Sequence, residues 1–179
     1  MFQSVTTRTA GFNTMNLAGM TPQSVMMSDI LMIIGGSPGS TAGGIKTATI
    51  GVIFFTVISA IKGRNDTQLF KHRLPHAIVI RAFVLAIFGL TLVLLSTTIL
   101  TSCEGVSLSA ALFESASAFG TVGLTLGITP LLGIVGQLTL IITMFLGRVG
   151  ILTTLLAIGN RSSDSHQDFR YQKGTVTLG

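Results

Sequence analysis

From the N-terminus onward, the chain alternates long apolar runs with short polar interruptions, and three of the runs stand out. The first extends from about Val25 to Ile61 and is broken by Gly-Gly-Ser-Pro-Gly-Ser-Thr-Ala-Gly-Gly at Gly35 to Gly44. The second covers about Ala77 to Thr101 with Arg81 as its one charge, and the third Pro130 to Ile158 with Arg148 as its one charge. Crossing a hydrocarbon core takes about 20 helical residues at about 1.5 Å rise each, which the second and third runs supply. The first does so only if its glycine tract lies within the membrane. The segment from Gly105 to Gly123 is too short and too polar to cross, carrying Ser107, Ser109, Glu114, Ser115, Ser117 and Thr121. It reads as a re-entrant helix that enters and leaves on one side, and Phe2 to Thr14 has the same character. The pattern predicts an all-α membrane protein.

Composition supports this reading. Of 179 residues 48% are hydrophobic and only 9% charged, against about 25% charged in a soluble domain. The 21 glycines and 4 prolines exceed what simple packed helices use and suit irregular backbone that is buried or lines an aqueous cavity. A lone cysteine, Cys103, excludes an intramolecular disulfide framework and offers no metal cluster. The residues after Met1 lack a basic stretch followed by an apolar core, so no signal peptide is expected. The net charge of +5 is informative through its placement. Lys62, Arg64, Lys71 and Arg73 face a single Asp66 between the first two runs, and Arg161, Arg170 and Lys173 follow Asn160. The link between the second and third runs, around Ser102 to Gly105, holds only Glu104. The basic link and the tail are therefore expected to be cytoplasmic and the Glu104 link external. The basic excess is topology rather than affinity for nucleic acid, with a polybasic lipid site as the alternative.

A repeat is embedded in this pattern. Phe2-Gln3-Ser4 matches Phe113-Glu114-Ser115, and Thr9-Ala10-Gly11-Phe12 matches Thr121-Val122-Gly123-Leu124 after one indel. Further on, Gly44-Ile45-Lys46-Thr47 lies over Gly150-Ile151-Leu152-Thr153. The unit is a short helix, a Thr-x-Gly turn and a long helix, and both copies start from the external side, so the symmetry axis runs along the membrane normal. Such a turn suits a potassium filter, where backbone carbonyls replace the ion's hydration shell. Glycine opens the required dihedrals, and the short helix aims its negative end at the cation. The candidate ligands are the carbonyls of Thr9, Ala10, Gly11 and Phe12 and of Thr121, Val122, Gly123 and Leu124. The competing reading is a small-residue packing motif.

The glycine tract has two functional readings and a passive one. Gly39 to Thr47 superficially resembles a phosphate-binding loop, but Ile45 separates Gly44 from Lys46 and no strand precedes it. The favoured reading is a helix broken at Gly35, Gly36, Ser37, Pro38, Gly39, Ser40, Thr41, Ala42, Gly43 and Gly44, leaving a polar loop beneath the filter that acts as a gate. The passive reading is a kink at Pro38. Two cations remain inside the membrane, Lys46 and Arg148, and an intramembrane charge is a functional hypothesis by default. Arg148 stands roughly 27 Å along its run from Pro130 at about 1.5 Å per residue. Facing a pore it would repel passing cations; alternatively it hydrogen-bonds carbonyls of the broken helix. Arg8 is expected to be external and structural, and Asp29 receives no role.

Thr7 to Thr14, Gly35 to Thr47, Ser117 to Thr125 and Gly147 to Gly150 closely resemble the membrane subunit of the Trk/Ktr/HKT potassium transporters, the bacterial Ktr type in particular. The resemblance spans nearly the whole chain. It implies four helix–pore-loop–helix repeats around one pore, of which about one and a half are present here. Residues 1–61 would end the third repeat, 62–76 form a cytoplasmic linker, 77–158 the fourth repeat and 159–179 a cytoplasmic tail. It implies that the glycine tract is the intramembrane gating loop and Arg148 the pore arginine. The tail departs from the family at Gln172-Lys173-Gly174. The expected function is a non-enzymatic pore subunit passing K+ through carbonyls in a bacterial plasma membrane, without a covalent cofactor. For the Ktr type, the resemblance adds Na+-stimulated uptake, homodimers and a cytoplasmic nucleotide-binding regulatory ring. Two repeats cannot enclose a pore of four, so the first two repeats are expected as the remainder of the pore.

Overall fold

The structure, a computed structural model, describes residues 2–14, 16–40, 42–63, 68–69 and 72–149. Thr41 of the glycine tract, residues 64–67 of the basic link, Lys71, and everything from Gly150 through the expected tail lie outside the described residues. The fold is helical. Its elements are α1 (Phe2–Val5), α2 (Pro22–Ile33), α3 (Thr47–Ile61), α4 (His76–Glu104), α5 (Leu108–Phe119) and α6 (Ile134–Val149). The link between α3 and α4 adds two two-residue strands, β1 (Gln68–Leu69) and β2 (His72–Arg73), paired antiparallel.

Local chemistry explains most of the boundaries. At the start of α2, Pro22 takes a first-turn position and the Thr21 hydroxyl accepts the Ser24 N–H at 3.4 Å, two ordinary helix-start devices. Gly105 ends α4 with φ +63, the left-handed conformation that glycine adopts without steric cost. The third apolar run opens later than its sequence pattern suggests. Thr129–Leu131 forms a separate 3-10 turn, and α6 begins only at Ile134. The cause is Glu104 at the end of α4, whose carboxylate accepts the Gly133 N–H (2.8 Å) and the Gly136 N–H (3.0 Å). A carboxylate at the positive end of a helix satisfies donors that have no partner within it. The N-terminal segment also differs from a plain re-entrant helix. After four helical residues it passes into an irregular turn over Thr6–Ala10, with Arg8 and Thr9 outside helical dihedrals. The β-branched run Val5-Thr6-Thr7 disfavours continuation.

The first apolar run is divided between α2 and α3. Between them the chain folds back so that the Ile45 N–H donates to Ile33 O (3.0 Å), the Gly35 N–H to Ile45 O (2.9 Å) and the Thr47 N–H to Gly36 O (3.2 Å). These three bonds pair the two ends of the interruption, in keeping with the need to satisfy backbone groups wherever water is scarce.

α5 is the hub, packed against α2, α4 and α6. Its Ala111, Phe113, Ser115, Ala116 and Phe119 are entirely enclosed. One cluster joins Val25 and Met32 of α2 to Phe113, Ala116, Val122 and Leu124, and another joins Leu100 of α4 to Ala111, Ala118 and Leu140. The outward side chains are apolar too, including Ile87, Leu94 and Leu95 on α4 and Ile134, Ile141 and Phe145 on α6. A water-facing helix has the opposite pattern. Among the described residues α4 is the one helix both long and apolar enough to cross a membrane.

α6 meets the end of α5 backbone to backbone. A Cβ at Gly147 would lie 2.1 Å from the Phe119 carbonyl oxygen, so the helices approach this closely only because residue 147 has no side chain. Gly147→Ala should force them apart and destabilise the protein by about 1–3 kcal/mol. The check is the apparent Tm of the detergent-solubilised protein; an unchanged Tm would mean that α6 yields freely.

Candidate functional site

The two Thr-x-Gly segments share an unusual backbone. Thr9 and Gly11 have φ +81 and +68, and Thr121 and Gly123 have φ +53 and +85. Positive φ is a genuine outlier for a β-branched residue and costs on the order of 1–3 kcal/mol wherever the surroundings enforce it. Each turn thus carries two left-handed residues two positions apart. The preceding helical turns close alike, the Gly11 N–H donating to Thr6 O (3.0 Å) and the Val122 N–H to Ser117 O (2.9 Å). The segments also touch, since a Cβ at Gly11 would sit 2.1 Å from the Val122 carbonyl oxygen. Their surroundings differ. Val122 and Leu124 are buried, whereas Phe12 is 70% exposed. The Thr6 hydroxyl donates to the Phe12 carbonyl at 2.6 Å, a bond that the sequence did not signal.

The glycine tract lies directly against the second turn. The Gly43 N–H donates to Thr121 Oγ1 at 3.2 Å. A Cβ at Gly43 would come within 2.7 Å of that oxygen, and one at Gly35 within 2.0 Å of the Gly43 carbonyl. Gly120 faces the Met32 carbonyl, where a Cβ would stand at 2.4 Å. Gly35, Gly43 and Gly120 therefore allow close approach, while Gly39 and Gly44 supply positive φ, +81 and +74. Gly36 holds its residue 40 and 42 neighbours at similarly short range. Ser37 O accepts from the Ser40 N–H (3.1 Å) and hydroxyl (2.8 Å), forming a tight turn around Pro38. Lys46 folds over the loop, its ammonium donating to the carbonyls of Ser40 (3.0 Å) and Ala42.

Arg148 is elsewhere. It lines a cavity of about 420 Å³ with Ser117, Thr121, Gly123, Met144 and Phe145, beside the carbonyl end of α5. Among the described residues its guanidinium makes no hydrogen bond or ion pair, so the carbonyls of the interrupted helix are held by Lys46 instead. Arg8 is exposed.

Sequence reading missed a clamp behind the second turn. Glu114, buried in α5, accepts hydrogen bonds from the hydroxyls of Thr125 and Thr129, the latter at 2.9 Å. Thr125 Oγ1 in turn accepts the Gly127 N–H at 2.9 Å. The carboxylate thereby fixes the strand that leaves Gly123. Its partners lie 11 and 15 residues away across a turn, a spacing with no helical or strand period to reveal it. The aligned Gln3 is half-buried, and its enclosed amide has no partner among the described residues.

Comparison with known proteins bears on this arrangement. The family model described as "TrkH: Cation transport protein" matches residues 1–168. The chain is 40% identical over 136 residues to the Ktr system potassium uptake protein B of Bacillus subtilis, covering 76% of this chain and 31% of that protein. It is 35% identical over 182 residues to the potassium/sodium uptake protein NtpJ of Enterococcus hirae, covering 99% and 40%. The Ktr system potassium uptake protein D of Bacillus subtilis is 37% identical over 179 residues, covering 100% and 39%. The chain spans between 31% and 40% of the length of these relatives.

Glu114→Ala should leave the Thr125 hydroxyl without its acceptor and the Thr129 hydroxyl with Thr125 alone, and cost about 1–3 kcal/mol. The measurement is limited proteolysis of residues 123–129 alongside the apparent Tm. Protection and Tm equal to wild type would show that the clamp does not hold the strand.

Proposed function

The chain belongs to the TrkH family of cation transport proteins, and from that premise we propose that it forms part of the pore of a potassium uptake system. The observation that carries the proposal is the shared backbone at Thr9/Gly11 and Thr121/Gly123, with positive φ at both members of each pair. Backbone carbonyls grouped at such turns can replace the hydration shell of a potassium ion. The ligands in this reading are the carbonyls of residues 9–12 and 121–124. The negative end of α5, beside the Arg148 cavity, adds to the attraction for a cation.

Residues 35–44 act in this reading as the gate. Their contact with Thr121 puts the loop directly against the filter turn, and the Lys46 bonds give it a defined closed shape. Those bonds also weigh against the phosphate-loop reading, because the lysine that would meet a phosphate is already bound to its own loop's carbonyls. Arg148, on the wall of the cavity beside Gly123, raises the electrostatic barrier to cations on the same path. The protein is a conductor and not an enzyme, with K+ as the transported ion and Na+ as activator.

Four repeats complete the pore, residues 1–61 ending the third, 77–158 forming the fourth, and 62–76 and 159–179 being cytoplasmic. The first two repeats, a homodimeric partner and a cytoplasmic nucleotide-binding ring complete the system in the plasma membrane. The names of the Ktr relatives, each a component of a "system", support a multi-part assembly.

Gly11→Val and Gly123→Val test the filter assignment in the complete protein. A branched side chain is strained at positive φ, and at Gly11 it also collides with Val122. Each variant should abolish potassium uptake in a potassium-auxotrophic host or erase its preference for potassium over sodium. Wild-type uptake and selectivity in both would remove the filter.

A further inference from the structure

Asp29 remains outside everything described so far. It sits on α2, and only 4% of its surface is exposed. Its Oδ1 is fully enclosed and has no hydrogen-bond partner among the described residues, which also provide no cationic side chain for it. An enclosed carboxylate without donors either keeps its proton or holds a cation. Beside it, between α2 and α5, is a cavity of about 370 Å³ lined by Asp29, Ser107 and Ser109 together with Leu17, Val25 and Leu126. Ser107 occupies the cap position of α5, yet its hydroxyl makes no cap bond and its oxygen is available to a ligand. Of the polar residues on its wall, Ser107 and Ser109 are exposed and Asp29 is buried.

We propose that this cavity is a second cation site, distinct from the carbonyl turns, in which Asp29 holds one small alkali cation. Hard oxygen donors select alkali and alkaline-earth ions over transition metals. A divalent cage takes several carboxylates or carbonyls, whereas here one carboxylate balances one positive charge. No group of three His, Cys, Asp or Glu side chains occurs among the described residues. The space holds roughly ten waters at about 30 Å³ each, so the ion keeps part of its hydration shell. A carboxylate, two hydroxyls and water provide the small shell that sodium takes. Leu126 on the wall follows Thr125, the residue that Glu114 clamps. An ion here therefore stiffens the back of the second turn without entering the conduction path, whether or not that turn is a filter.

The test is the apparent Tm of the complete detergent-solubilised protein in NaCl and in KCl, each against choline chloride at equal ionic strength. Wild type should gain stability in sodium with a saturable dependence. Asp29→Asn, which keeps size and removes charge, should weaken the apparent sodium affinity by about 30-fold or more, and Ser109→Ala by a smaller factor. Stabilisation by potassium, which rests on the carbonyl turns, should persist in Asp29→Asn, so failure here is separable from failure of the filter assignment. An Asp29-dependent shift in potassium instead of sodium overturns the assignment of a small ion to the site. Equal sodium shifts in wild type and Asp29→Asn, or no alkali shift above choline in wild type, overturn the proposal. If Asp29→Asn does not fold, Ser109→Ala decides by the same comparison.

Discussion

The structure depends on the close approach of backbones around the C-terminal end of α5. The Phe119 carbonyl meets Gly147 of α6, Gly120 meets the Met32 carbonyl of α2, and Gly43 of the glycine tract meets Thr121. The Phe119 ring fills the remaining side, where a Cβ on Gly89 of α4 would lie 2.9 Å from it. Each contact is possible because a glycine stands on one side of it. Packed interiors tolerate little change in volume, so this one helix end fixes the positions of α2, α4, α6 and the interrupted segment together. A turn held on all sides can keep threonines at positive φ, a conformation that an isolated chain would leave.

Polar groups then set the direction of that turn. Glu114 anchors the strand leaving it, and Lys46 gathers the carbonyls of the loop beneath it. Glu104 sets where α6 begins and, through that, where Gly147 and Arg148 fall. All three are charged groups placed against backbone or hydroxyl partners, which offsets the cost of taking them out of water. The loop gains its shape from bonds internal to residues 33–47 and, among the described residues, makes one hydrogen bond to the turn above, from Gly43 to Thr121. A segment with strong internal bonds and a weak outer one is suited to moving as a unit.

Much of the helical framework was legible because length and hydropathy decide it. The run from Ala77 to Thr101 corresponds to α4, which reaches Glu104 because Gly105 supplies the terminating conformation. The start of α6 was not legible from its apolar pattern, since Pro130 belongs to a 3-10 turn and a carboxylate 29 residues before Gly133 places the helix. Glycine at 11 and 123 advertises left-handed backbone. The same conformation at Thr9 and Thr121 has no such signature, because a β-branched residue argues against it. The Gly43 to Thr121 bond joins residues 78 apart, and the Asp29 cavity joins α2 to α5. Such pairings arise only when the helices pack, and no local periodicity encodes them.

The central claim is that the segment seated against Thr121 obstructs the path beneath the carbonyl turns. Deleting residues 37–42 from the complete protein and measuring potassium flux in proteoliposomes tests it most directly. The account predicts flux well above wild type, with the preference for potassium retained because the carbonyl turns are untouched. Flux equal to wild type from a correctly folded deletion protein would contradict it and leave the segment as a passive break between α2 and α3.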